Sequence, residues 1–262
     1  SELLTCAKDL QAEPQQKAGE ILRQAGEIKE SSEALLRTPR QLVEEANQRA
    51  AALAEMSKKV STVVQQLATA GETLYRRGNF NGTFDQVICD ALREVNDAQV
   101  SLSPGFRWGT TVLPGQTITM DNVMDQTCIT YPETYRREMT GAEIKMILED
   151  VCDNLFNPDP YVQQGGDMVR LGGLDYVCDP TETIGKRITD MTLDDGTKID
   201  ADKTYVVAGW ATVGSQSPGE PIWDTVATYL RDQKEVKVAK LNTPKLKNIA
   251  GNPGISDYPR LG

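Results

Sequence analysis

Apolar residues recur at helical spacing from residue 14 onward, with Ala18, Ile21, Leu22, Ala25 and Ile28 on one face. Pro14 suits a first helical position. The pattern loosens at "KESSEALLRTP", and a second helix is predicted to start with Thr38 as N-cap, Pro39 at N1 and Gln41 completing a capping box. From there Ala46, Leu53, Val60, Leu67 and Leu74 fall seven residues apart. Met56, Val63 and Ala70 sit three after three of them, while Arg49 breaks the corresponding first slot. This seam predicts a helical hairpin or coiled-coil segment over residues 1–76, with self-association through helix 38–76 as one way to bury the stripe.

After "YRRGNFNG" the pattern changes to strands and helices separated by Pro/Gly turns. Phe84, Val87, Ile88, Ala91, Leu92 and Val95 mark an amphipathic helix. "AQVSLS" and "TTVL" read as strands. Thr140 and Glu143 form a capping box ahead of Ile144, Ile147, Leu148, Val151 and Leu155. "DMVRLGGLDYVCD" predicts strands and "ITDMTLDDGTKID" a hairpin, while "KTYVVAGWATVG" is a buried strand entering a Gly-rich loop. Ile222 to Leu230 form a last helix, and an extended tail is expected from Asn252. Residues 77–262 thus predict an α/β (α+β) domain with its own core, a mixed sheet and flanking helices.

Charge and composition narrow the chemistry. The formal net charge of −10 argues against a nucleic-acid partner, since phosphate backbones need a basic footprint. Residues 1–76 carry 10 basic and 11 acidic side chains and the remainder 18 and 27, so an anion site there must be local and built from a few arginines. No apolar span approaches membrane-helix length, and no signal-peptide pattern opens the sequence. There is no histidine, which removes the usual general base near neutral pH and the commonest transition-metal ligand. The five cysteines (Cys6, Cys89, Cys128, Cys152, Cys178) show no zinc spacing. Cys152 and Cys178 read equally well as a bridge in an oxidising compartment or as two buried thiols.

Four stretches in order, "VICDALREV", "SPGFRWG", "REMTGAEIKMILEDVCDNLF" and "GGDMVRLGGLDYVCDP", preceded by "YRRGNFNGTFDQ", resemble the C-terminal domain of the 5′-nucleotidase family over roughly residues 75–262. "GNFNGT", "SPGFRWG" and "QQGGDMVR" are similar within it to the SoxB thiosulfohydrolases. The resemblance implies a two-domain enzyme. A metallophosphoesterase domain holds two metal ions, usually manganese, and the C-terminal domain presents the substrate to them. For the SoxB branch that substrate is a sulfonate on a cysteine of the SoxYZ carrier protein, released as sulfate in the periplasm. Residues 1–74 contain no metal-ligand cluster and are too few for such a catalytic domain, so no catalytic residue and no cofactor is assigned to this chain. The dimanganese centre is expected only in the absent half, and the isolated chain is expected to be inactive.

Arg107, between Phe106 and Trp108 on a Pro104–Gly105 turn, is the first candidate substrate-binding residue. A guanidinium fork suits sulfonate or phosphate oxygens, Gly105 permits close approach of the backbone to a ligand, and the aromatics would shape the wall. The resemblance places Arg76, Arg77 and Asn79 on a further substrate-facing stretch, although arginines there also suit a helix end. It places Trp210 where nucleotidases stack a base, and Asp167 and Arg170, after Gly165 and Gly166, on a loop that meets the carrier. Three functions therefore stand: a SoxB-type substrate-binding domain, a non-catalytic interaction or oligomerisation module, and a nucleotidase-like nucleotide hydrolase.

Overall fold

The computed structural model describes residues 2–212 and 217–250, with side chains from residue 17 on, 37 and 38 excepted. The chain divides into two units, residues 1–61 and 62–262.

The first unit is a single helix, α1 (Glu2–Val63), without the predicted break. It runs through Pro14 and Pro39, each of which removes a backbone bond and crowds the preceding turn, among Ala, Glu, Gln, Lys and Leu, whose strong helix propensity works against that cost. The helix also ends at Val63 and not at 76. Leu67 and Ala70 of the expected seam lie in strand β1 (Gln66–Ala70), and Leu74 forms a bridge with Val112. The second unit claims these residues: Leu67, Ala70 and Leu74 are all buried in its core. The seven-residue spacing therefore joins two patterns, a helical stripe up to Val63 and a buried strand beyond it. Leu53, Met56 and Val60 of the stripe are exposed, at 67, 64 and 56%.

The second unit is mixed α/β. Its main sheet has the order β4 (Thr134–Thr140), β8 (Thr204–Trp210), β2 (Val100–Ser103), β5 (Arg170–Gly172). β2 runs parallel to β8, and the outer pairs are antiparallel. A second sheet pairs β1 with β3 (Thr117–Thr119) and β9 (Glu235–Val236). The third places β6 (Leu174–Cys178) between β7 (Ile188–Leu193) and β10 (Lys245–Leu246). The predicted hairpin turns at Gly196, whose φ of 86° favours glycine. "TTVL" contributes only the Val112 bridge.

Helices α2 (Thr83–Val95) and α5 (Ile222–Gln233) pack on one core, with Phe84, Ile88, Leu92, Val226 and Leu230 buried. Helix α4 (Gly141–Phe156) packs on the other, through Ile144, Leu148 and Cys152. Its capping box is formed as predicted: Thr140 Oγ1 accepts from the Glu143 amide and Glu143 accepts from the Thr140 amide. Helix α3 (Met120–Thr127) was not legible, since it has only eight residues and closes its capping box with Asn122 instead of Glu or Gln. The tail from Asn252 lies outside the described residues, and the helix start expected at Thr38 falls inside the continuous α1, so no helix begins there.

One half-buried carboxyl gives α2 a pH signature. Asp90 accepts a hydrogen bond from Gln86 Nε2 (2.9 Å), and burial pushes its carboxyl up to about 6. A carboxyl raised on folding favours the native state while protonated, and that contribution is lost as pH rises through about 6. Asp90→Asn keeps the acceptor and removes the titration. At pH 7 it is expected to be more stable than the parent by on the order of 1–3 kcal/mol, the gap closing toward pH 4. Urea midpoints measured across that range check this; a constant gap would discard the assignment.

Candidate anion-binding site

The site forms where three segments meet: residues 76–79 after β1, the 103–109 turn after β2, and residues 167–170 leading into β5. Gly105 makes the meeting possible. A Cβ there would lie 2.3 Å from the Met168 carbonyl oxygen and 2.9 Å from Asp167 Cβ. The close approach predicted for Gly105 therefore serves the packing of two loops and not the backbone's contact with a ligand. Gly109, at φ +94°, is also required, because its Cβ would stand 2.3 Å from the Gln126 side chain. Gly105→Ala is expected to cost roughly 1–3 kcal/mol, since a backbone carbonyl cannot swing aside. Thermal denaturation reads this, and an unchanged midpoint would contradict the contact.

This docking delivers Arg107 to Asp167. Arg107 Nε donates to Asp167 Oδ2 (2.7 Å) and Nη2 donates to Oδ1. The pair is lopsided in exposure: the arginine side chain is 41% accessible and the aspartate 5%. Arg77 Nη1 donates to the carbonyl oxygens of Arg76 and Arg107, tying the two loops together beside the guanidinium.

Behind Arg107 the charges continue inward. Arg170 Nη2 lies 3.5 Å from Asp167 Oδ2 and donates to the Gly78 carbonyl (2.9 Å). Arg170 Nε is 3.4 Å from Asp85 Oδ2, and Asp85 Oδ1 accepts from Arg76 Nε (2.7 Å). Arg76 also donates to the Gln126 and Pro104 carbonyls. Asp85 sits in the first turn of α2, where the helix dipole favours an anion. The side chains of Arg76, Asp85 and Arg170 have no solvent exposure. Three guanidinium groups against two carboxylates leave one positive charge in excess, with Arg77 adding a second nearby. Only Arg107 carries this excess to open solvent among the three.

Phe106 and Trp108 stack with ring centroids 3.8 Å apart and an interplanar angle of 16°. The stack covers Arg76, whose Cζ lies 5.5 Å from the Phe106 centroid and 5.9 Å from that of Trp108. The aromatics expected to wall a ligand at Arg107 thus roof the buried end of the network.

Other expected site residues fall elsewhere. Arg170 is fully buried, so it braces Asp167 and does not meet a partner. Asn79 is buried, and its carbonyl accepts from the Met168 amide (2.9 Å). Trp210 is 3% exposed, donates to Ser103 Oγ (2.8 Å) and belongs to the core, which removes it as a base-stacking platform. The loop that follows it is largely outside the described residues. Asp85 was the residue missed; an acid in a first turn reads as a dipole partner until the tertiary structure brings two arginines to it.

Among the described residues no three His, Cys, Asp or Glu side chains converge to hold a metal ion, and no helix is long and apolar enough to cross a membrane. The site does not fit a dimetal centre: its two aspartates are taken by guanidinium groups, whose charge opposes a cation.

This fold and site define a class. The model of the 5′-nucleotidase C-terminal domain matches residues 60–226, and the chain belongs to that family. Within it, the chain is similar to the sulfate thiohydrolase SoxB of Thermus thermophilus, at 34% identity and a TM-score of 0.67 over 78% of this chain and 39% of that one. A 5′-nucleotidase precursor, also from Thermus thermophilus, shares the fold at 18% identity (TM-score 0.58, 76% of this chain, 43% of that one). The NAD nucleotidase of Haemophilus influenzae does so at 14% identity (TM-score 0.58, 78% and 42%). Against curated protein sequences no match reaches significance. The chain spans about two-fifths of the length of these solved structures.

Proposed function

We propose that this chain is the substrate-binding domain of a SoxB-type sulfur-oxidation hydrolase, in which Arg107 grips the sulfonate of a carrier-bound cysteine S-sulfonate. The observation that carries this reading is the half-exposed Arg107 guanidinium, aligned by the buried Asp167 and backed by excess positive charge in a chain of net charge −10. A rigidly held guanidinium fork is matched to the oxygens of a tetrahedral or trigonal-pyramidal oxyanion. The similarity to SoxB favours sulfonate over phosphate, and the buried position of Trp210 gives a nucleotide base no platform there. In this reading the oxygen of a water bonds to the sulfonate sulfur, the S–S bond to the carrier cysteine breaks, and the products are sulfate, the cysteine thiol and one proton. Arg107 orients the sulfonate oxygens for that attack. The catalytic groups and two metal ions belong to a metallophosphoesterase half, the carrier is SoxYZ-like, and the compartment is the periplasm. Calorimetric titration with S-sulfocysteine, against cysteine and AMP as controls, tests this: heat is expected from the sulfonate alone. Heat from AMP alone would favour the nucleotidase reading, and none from any of the three would end it.

A further inference from the structure

Two thiols that the anion site does not use face each other in the second core. Cys152, near the end of α4, and Cys178, the last residue of β6, are both fully buried, with their sulfurs 3.8 Å apart. The elements carrying them are fixed to each other independently. Glu149, one turn before Cys152, accepts hydrogen bonds from the amides of Gly185 (2.8 Å), Arg187 (3.3 Å) and Ile188 (2.8 Å) at the start of β7. Arg187 Nη1 donates to Asp153, the residue after Cys152. β7 in turn pairs with β6 across Cys178 and Ile188. The scaffold therefore presents the two sulfurs to each other before any bond joins them, 3.8 Å apart against the roughly 2.05 Å of a disulfide.

We propose that Cys152 and Cys178 form a disulfide when this chain folds in an oxidising environment. The oxidant is a disulfide-bearing compound such as glutathione disulfide or a thiol oxidoreductase. One cysteine thiolate attacks a sulfur of that disulfide and expels a thiolate; the second cysteine attacks the mixed disulfide and expels the other. Two electrons pass to the oxidant, which leaves as two thiols with the two protons given up by the cysteines, and one S–S bond forms in the protein. The exchange takes place before the core closes. In the folded chain both sulfurs are out of reach of solvent, and the adjoining Cys152 thiol together with burial holds the Cys178 thiol well above its ordinary range. The bond would close the loop from 152 to 178, which contains Asp167, and so restrain in the unfolded chain the segment that aligns Arg107.

The test uses the full chain, denatured, reduced and refolded in a glutathione redox mixture. It is then unfolded without reductant in N-ethylmaleimide and digested with trypsin, which places the two cysteines in separate peptides, residues 146–170 and 171–186. Recovery of those peptides as one linked, unlabelled species is expected. Its thermal midpoint should stand roughly 5–10 °C above that of the reduced protein. Recovery of both as maleimide adducts, or of either joined to a different cysteine, overturns the proposal.

Discussion

Replacing Asp85 with alanine is expected to lower the stability of the second unit by about 3–5 kcal/mol, the largest loss of any substitution at the site. The reason is charge left behind. Asp85 lies between two guanidinium groups that have no solvent exposure, bonded to Arg76 at 2.7 Å and 3.4 Å from Arg170. Alanine would leave Arg76 in a dry interior with only carbonyl oxygens to answer it, and Arg170 with Asp167 alone at 3.5 Å. Arg170 already has two guanidinium nitrogens, Nε and Nη1, without a hydrogen bond among the described residues, so its compensation rests heavily on the aspartates. Arg170→Met removes a cation instead and leaves Asp85 bonded to Arg76, so it should cost clearly less than Asp85→Ala. Urea midpoints of the two variants decide the matter. A loss under about 1 kcal/mol for Asp85→Ala, or the reverse order of the two, would show that the buried network is not charge-coupled.

Arg107→Ala is expected to abolish sulfonate binding while leaving the fold intact. Its side chain is 41% exposed, and Asp167 keeps Arg170 within 3.5 Å, so truncation strands no fully unpaired charge. The stability cost should stay near 1 kcal/mol. Binding loses far more, since charge-assisted contacts to an anion contribute about 1.5–3 kcal/mol each. Arg107→Lys keeps the charge but not the fork, and a weakening of about tenfold is expected. Titration of S-sulfocysteine into all three proteins reads the effect, with affinity falling as salt rises because the group is exposed. Equal heats from wild type and Arg107→Ala would take the role away from Arg107.

Much of the fold was legible because short-range rules decided it. The capping box at Thr140–Glu143, the period of α2, the Gly196 hairpin and the buried run of β8 each follow from a few neighbouring residues. The heptad stripe misled beyond Val63 for a physical reason: Leu67, Ala70 and Leu74 satisfy a seven-residue spacing, and the core also wants them as a strand and a bridge. Burial on both faces of β1 outweighs helical continuation, and nothing local reveals that choice. The site divides in the same way. Arg107 could be singled out from its turn, and Asp167 and Arg170 from the family resemblance. Their opposite fates, one cation exposed and the other sealed, depend on Gly105 meeting Met168 across more than 60 residues of chain.

By itself, then, the order of residues determined the kind of element at most positions, the local origin of any anion site in a net acidic chain, and the membership that its ordered motifs announce. Only the tertiary structure decided which arginine faces solvent, that Asp85 binds two of them, that Phe106 and Trp108 cover Arg76, and that Cys152 meets Cys178. Helix caps and turns act within a few residues, so sequence spacing contains them. Burial and charge pairing act between segments, and the distances that govern them exist only once the chain has closed on itself.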